Sequence, residues 1–196
     1  MSKILISGYY GFANAGDEAM LTAIIESLRQ VEKNVELTVL SGNPEDTAAK
    51  HQVCSVYRFN PLGIIRAMKD SELIISGGGS LLQDVTSKRS LLYYLSIIGL
   101  GKFFGKKVML FAQGIGPIRA KWARKLTSLV CNEADLITVR DSESAAELIE
   151  MGVKPEKITV TADSVLSLNP VTKECGQYLL QEAGVDLTKP VIGISV

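Results

Sequence analysis

The chain has 196 residues, 46% hydrophobic and 21% charged, which suits one large domain or two small ones and excludes a disordered, collagen-like or coiled-coil chain. Lysine plus arginine equals aspartate plus glutamate at 21 each, so the net charge is zero and no basic excess points to nucleic acid. The three cysteines, Cys54, Cys131 and Cys175, stand far apart without a Cys-x-x-Cys spacing and read as reduced thiols of a cytosolic protein.

In chain order, Lys3–Ser7 reads as a first strand, too short in its apolar run for a secretory signal. A helix over Asp17–Gln30 follows, with Met20, Leu21, Ile24, Ile25, Leu28 and Val31 on one stripe. Val35–Leu40 and Val53–Val56 read as strands, Pro61–Lys69 as a helix and Leu73–Ser76 as a strand. The helix expected over Thr86–Phe104 contains the most apolar segment, Leu91–Phe104. That segment would extend roughly 21 Å, short of a ~30 Å hydrocarbon core, and carries Lys102 and two glycines. It reads as a buried helix, with docking on the inner membrane face as the lesser alternative. Next come a strand at Val108–Ala112, a helix at Ala120–Asn132 and a strand at Leu136–Val139. A helix over Ser142–Met151 opens with Ser142 and a Ser144-x-x-Glu147 capping-box spacing and stops at Gly152. Ile158–Thr161 is a strand, Thr172–Ala183 a helix, and Val191–Val196 a last apolar strand after Lys189-Pro190.

Strands such as LIIS and VMLFA are apolar throughout, as strands of a parallel sheet covered on both faces are. The alternation predicts a doubly wound α/β domain with a mostly parallel sheet, spanning residues 1–189. Residues 190–196 are either its legitimate last strand or the first strand of a further domain, because a fresh uncovered apolar strand invites edge pairing.

In such sheets ligands bind beyond the carboxyl ends of the strands. Five glycine-rich or polar turns fall there: Gly8–Glu18, Ser76–Asp84, Gln113–Pro117, Arg140–Ser142 and Ala162–Ser164. They nominate Gly11, Asn14, Gly16, Gly77, Gly78, Gly79, Ser80, Gln83, Asp84, Gln113, Gly114 and Asp163 as binding residues. A tight turn recruits glycine in any case, but three in succession, Gly77 to Gly79, exceed what a turn needs. The spacing is neither a dinucleotide fingerprint nor a Walker loop. Asp17 and Glu18 suit a helix N-terminus, and Asp17 at the pocket edge is also placed to take a proton from a hydroxyl. Arg140 is either paired with Asp141 or an anion clamp, and Asp163 either orients Arg140 or caps the next turn. His51 lies in a polar stretch away from the rim. It is the only histidine, so a His-based metal site or a Ser-His-Asp triad within this chain is excluded.

Together these segments resemble the polysaccharide pyruvyl transferase family, particularly bacterial enzymes that modify cell-wall polysaccharide for S-layer attachment. The resemblance rests on Gly8–Ala19 (GYYGFANAGDEA), Ser76–Asp84 (SGGGSLLQD), Gln113–Pro117 (QGIGP), Val139–Asp141 and Thr161–Ser164, which span most of the chain in order. Ala13 stands where relatives often carry glycine. The resemblance implies the N-terminal, Rossmann-like half of a GT-B-like architecture, and therefore a chain broken off one strand into a second domain. A histidine and a basic residue for the donor, expected from that second domain, are absent. It implies transfer of pyruvate from phosphoenolpyruvate to a sugar or lipid-linked polysaccharide as a cyclic ketal, with Asp17 and Arg140 as catalytic residues and neither cofactor nor metal. A GT-B glycosyltransferase using a nucleotide sugar and a non-catalytic α/β binding module are the alternatives.

Overall fold

A computed structural model describes residues 1–194. Seven strands form one sheet: β1 (Lys3–Tyr10), β2 (Glu36–Ser41), β3 (Cys54–Tyr57), β4 (Leu73–Gly77), β5 (Lys107–Gln113), β6 (Leu136–Val139) and β7 (Ile158–Val160). Their order is β3-β2-β1-β4-β5-β6-β7, and every neighbouring pair is parallel. The chain therefore winds outward from β1 in one direction, then returns to the middle and winds outward in the other. The switch point lies between β1 and β4, where crossovers leave on opposite sides and open a crevice at the carboxyl ends.

Among the described residues there are seven α-helices, α1 (Ala15–Val31), α2 (Pro44–His51), α3 (Pro61–Asp70), α4 (Lys88–Phe103), α5 (Lys121–Glu133), α6 (Ser142–Glu150) and α7 (Lys173–Glu182), of which α7 buries no residue. Side chains alternate across a strand, so the central strands β1, β2 and β4 feed two cores. Ile4, Ile6, Val39 and Ile75 meet Leu21, Ile24 and Ile25 of α1. Leu5, Leu40, Ile74, Val108 and Leu110 meet Ile64 and Met68 of α3 and Leu91, Leu95 and Ile98 of α4 on the other face. The apolar α4 segment is thus largely buried, and among the described residues no helix is long and apolar enough to cross a membrane.

Several expectations need correction. The α1 stripe ends at Leu28, because Val31 is 89% exposed at the helix end. α6 is capped by Asp141, whose carboxylate accepts the Ser144 amide; Ser144 is a buried first-turn residue, not the cap. The first strand continues past Ser7 to Tyr10 through a register break, so Gly8 belongs to it. α2 has no counterpart in the predicted elements, since Thr47 is its one buried side chain and it lacks an apolar stripe. Residues 191–194 form no strand and lie exposed, with no neighbouring strand to take their backbone groups; the other two residues of the expected strand lie outside the described residues. The three cysteines are free, and burial pushes the Cys131 thiol up to about 12.

Candidate active site

The crevice is assembled from loops that hold one another. Asn14 caps α1 by accepting the Asp17 amide at 3.1 Å, and the Asp17 carboxylate borders the crevice beside Gly79. The Gly11 amide donates to Glu18 Oε1 at 2.8 Å, and Glu18 Oε2 lies 3.3 Å from His51 Nε2. Glu18 is therefore a brace for the first loop, and His51, expected away from the rim, supports it from α2. Ala13 sits at φ +56°, the left-handed conformation that favours glycine.

Across the switch point, Gly78 and Gly79 also have positive φ, +88° and +60°. A Cβ on Gly79 would stand 2.9 Å from Asp17 Oδ1, and one on Gly78 would stand 2.8 Å from the Tyr10 hydroxyl. The triple glycine thus lets the β4 turn pass directly under α1. Tyr10 is fully buried and donates to the Gly77 carbonyl at 2.6 Å, which ties the ends of β1 and β4 together.

From this turn the segments after β4 and β5 run side by side. The amides of Gly114, Gly116 and Asp84 donate to the carbonyls of Gly79, Leu82 and Pro117 at 3.2, 2.8 and 3.2 Å. The Asp84 carboxylate accepts the Arg119 and Ala120 amides at 2.9 and 2.8 Å, and these bonds hold its pKa below the ordinary carboxylate range. Asp84 is an anchor for this double loop. Gln83 folds back on the Val85 and Thr86 amides and borders the crevice. Gln113 is fully buried; its amide donates to Ser76 Oγ at 3.1 Å and its Oε1 is unpartnered.

Arg140 lies at the far side. Its Nε, NH1 and NH2 groups reach Asp141 Oδ2 at 3.3 Å, Asp163 Oδ2 at 3.3 Å and Ser80 Oγ at 3.2 Å. Gly114 gives it room, because a Cβ there would sit 2.8 Å from the guanidinium carbon. Asp163 serves both roles open to it: one oxygen holds Arg140, the other caps the 3-10 turn Ser164–Ser167 through the Val165 amide.

The cavity beside Asp17, about 250 Å³, is bordered by Tyr9, Asp17, Ser80, Gln83, Thr86 and Tyr94, among others; Arg140 reaches its edge through Ser80, and Asp163 borders a separate cavity with Phe111 and Thr138. Burial raises the Asp17 pKa and neighbouring Glu18 raises it further. Burial also pushes the Tyr94 hydroxyl up to about 12. Asp17 is thus a half-buried carboxylate whose affinity for a proton exceeds that of a free aspartate, beside hydroxyls and aromatic faces. Among the described residues no cluster of three or more His, Cys, Asp or Glu could hold a metal ion.

The sequence profile of the family described as polysaccharide pyruvyl transferase matches residues 14–180. The chain belongs to that family. No curated protein matches it significantly. Its fold is similar to that of the Anabaena protein Alr3699/HepE, solved with UDP and glucose, at a TM-score of 0.61 and 14% identity over 94% of this chain and 50% of that one. A Rickettsia africae glycosyltransferase gives 0.56 and 12% identity over 96% and 51%. The Neisseria meningitidis UDP-GlcNAc 2-epimerase, solved with UDP-GlcNAc, gives 0.55 and 12% over 92% and 50%. The chain therefore spans about half the length of these structures, and the likeness is one of fold: the Rossmann-like half of a GT-B architecture.

In this pyruvyl transferase family member, the five nominated turns do gather at the carboxyl ends. Asp17, Gly79, Gly114, Arg140 and Asp163 form one chain of contacts, while Gly11 packs against Ser41 and Asn43 at the end of β2 and Gly16 lies exposed in the first turn of α1. Sequence reasoning missed Tyr9, Thr86, Ser90 and Tyr94 on the cavity wall and Arg58 behind it. Arg58 follows β3, whose end carries no glycine-rich turn to mark it, and Tyr94 sits in an apolar helix where an aromatic reads as core.

Proposed function

We propose that this chain carries the hydroxyl-activating side of an enzyme that transfers pyruvate from phosphoenolpyruvate to a sugar of a cell-wall polysaccharide or its lipid-linked precursor. The observation that supports this reading best is Asp17, a carboxylate of raised pKa in a small cavity walled by Tyr9 and Tyr94 and edged by hydroxyls. A proton adds to the methylene carbon of the donor, leaving an oxocarbenium-like centre. One sugar hydroxyl attacks that carbon and gives its proton to Asp17. The carbon–oxygen bond to phosphate then breaks, the second hydroxyl takes its place and loses its proton, and a cyclic ketal and inorganic phosphate result. Asp17 acts as general base, and Arg140 grips the donor's carboxylate or phosphate with its planar fork. Neither metal nor cofactor enters this scheme. The reaction belongs on the cytoplasmic side of the inner membrane, where a lipid-linked acceptor would be met.

The test uses the intact enzyme with phosphoenolpyruvate and a saccharide acceptor, following phosphate release and the mass of the product. Asp17→Asn should lower turnover by ~10²–10⁴-fold, the usual contribution of a positioned base, without lowering the melting temperature, since it removes a charge that burial disfavours. Retained turnover would leave Asp17 a helix-end charge. A nucleotide-sugar transferase is the second reading, favoured by the UDP and UDP-GlcNAc named with the similar structures. Calorimetric titration with phosphoenolpyruvate and with UDP-glucose separates the two.

A further inference from the structure

Arg58 is 5% exposed and, among the described residues, has no carboxylate partner. Its NH1 donates to the Tyr94 hydroxyl at 3.4 Å, and its Nε is buried and unpartnered. What surrounds the guanidinium is aromatic: ring centroids of Tyr93, Phe59, Phe12, Tyr94 and Tyr9 lie 4.3, 5.1, 5.4, 5.4 and 6.0 Å away. A buried charge without an opposite charge is costly, and an apolar side chain of similar volume fills such a space at lower cost. Filling volume therefore does not account for an arginine here. Attraction between the cation and the ring faces does.

The rings fall into two groups. Phe59 and Tyr93 border a separate apolar cavity behind Arg58, whereas Tyr9 and Tyr94 border the crevice that holds Asp17. Tyr9 stacks on Phe12 at 4.3 Å and 12°, yet both rings are 41% exposed. A half-solvated pair formed by the end of β1 and the loop after it has few packing partners to fix it, and the cation behind it supplies one. We propose that Arg58 is a positioning residue, holding the Tyr9–Phe12 pair in place so that Tyr9, half-exposed on the crevice wall and backed by buried Tyr94, is a preformed aromatic face on which the acceptor sugar ring stacks beside Asp17. Preformed walls bind better because the ordering cost is met before the ligand arrives. This inference rests on the acceptor assignment made above.

Two readouts keep the inference and that assignment apart. Trp122 is the only tryptophan. Tyr9→Trp in a Trp122→Phe background therefore gives a single reporter on the wall, whose time-resolved anisotropy reads local motion with no reaction required. Adding Arg58→Met should at least double the amplitude of fast reporter motion, and Arg58→Lys, which keeps the cation, should hold it near the parent value. In the native background, Arg58→Met should raise the acceptor KM about tenfold, a preorganisation loss, while the donor KM stays within about twofold and the melting temperature does not fall. Arg58→Lys should recover most of the acceptor KM. If Arg58→Met fails to fold, Phe59→Leu carries the same expectation, because Phe59 lies outside the crevice, sits 5.1 Å from Arg58 and pairs with none of Tyr9, Phe12 and Tyr94. An unmoved reporter, an unchanged acceptor KM, or no recovery with lysine would overturn the inference. A parent enzyme that transfers no pyruvate would overturn the acceptor assignment instead, and the reporter would still decide the role of Arg58.

Discussion

Removing Arg140 separates scaffold from donor contact by the sizes of two effects. Its side chain is 34% exposed and makes two ion pairs at 3.3 Å and one hydrogen bond to Ser80 at 3.2 Å. Ion pairs of that exposure contribute ~0–1 kcal/mol each and a neutral hydrogen bond ~0.5–1.5 kcal/mol. Asp141 and Asp163 keep their capping bonds to the Ser144 and Val165 amides, so neither is orphaned by the loss. Arg140→Ala should therefore cost about 1–2 kcal/mol of stability, or roughly 4 °C in a domain of this size. A lost charge-assisted contact to the donor costs ~1.5–3 kcal/mol, which weakens binding roughly tenfold to a hundredfold. In the intact enzyme, phosphate release measured against phosphoenolpyruvate concentration should show that rise in donor KM for Arg140→Ala. Arg140→Lys, which loses the planar fork but keeps the charge, should show a smaller one. A donor KM within twofold of the parent, together with the 4 °C fall, would make Arg140 a strut between Asp141 and Asp163 and refute the clamp.

Gly79→Ala places a Cβ 2.9 Å from Asp17 Oδ1 at φ +60°, so turnover should fall about a hundredfold through displacement of the carboxylate, measurable as product formed by the folded variant. Ala13→Gly should stabilise the fold: relief of ~1–2 kcal/mol of left-handed strain outweighs ~0.4–1 kcal/mol of added unfolded-state entropy, and thermal melts should rise by about 2 °C. Asp135 is partly buried, which opposes ionisation, yet bonds from Lys102, the Val108 amide and Lys107 outweigh this and lower its pKa from 3.8 to about 2. Its contribution is then complete above pH ~4 and lost as the pH falls toward 2, so urea midpoints of the parent and Asp135→Asn should differ at pH 7 and converge below pH 2.

The winding of the sheet was legible because buried parallel strands are apolar end to end, as Ile74-Ile75 and Val108–Leu110 are, and because one amphipathic helix follows nearly every strand. α2 was not, since it contributes one buried residue and its start signal, Asn43 before Pro44, stands without a stripe behind it. Within the site, neighbours in sequence diverge in space: Gln83 borders the cavity, while Asp84 next to it is turned to the Arg119 and Ala120 amides. Nothing in the order of residues separates those two roles. Arg58 and Tyr94 meet only because the loop after β3 reaches α4 across the fold, a tertiary coincidence that no local spacing encodes.

The charges at the rim also decide which reactant this chain is suited to hold. Asp17, Asp141 and Asp163 are carboxylates, and the cation among them, Arg140, is already matched by Asp141 and Asp163. Arg58, the other guanidinium nearby, is shielded behind aromatic rings. An anionic donor would meet a geometric fork at Arg140 but little unbalanced positive charge. A neutral sugar would meet what such a ring uses: flat aromatic faces, hydroxyls and a carboxylate that takes up a proton readily. In the proposed reaction the fork at Arg140 would fix the donor's orientation and supply part of its binding, so the Arg140 variants should show their loss in donor KM and leave the stacking of the acceptor untouched.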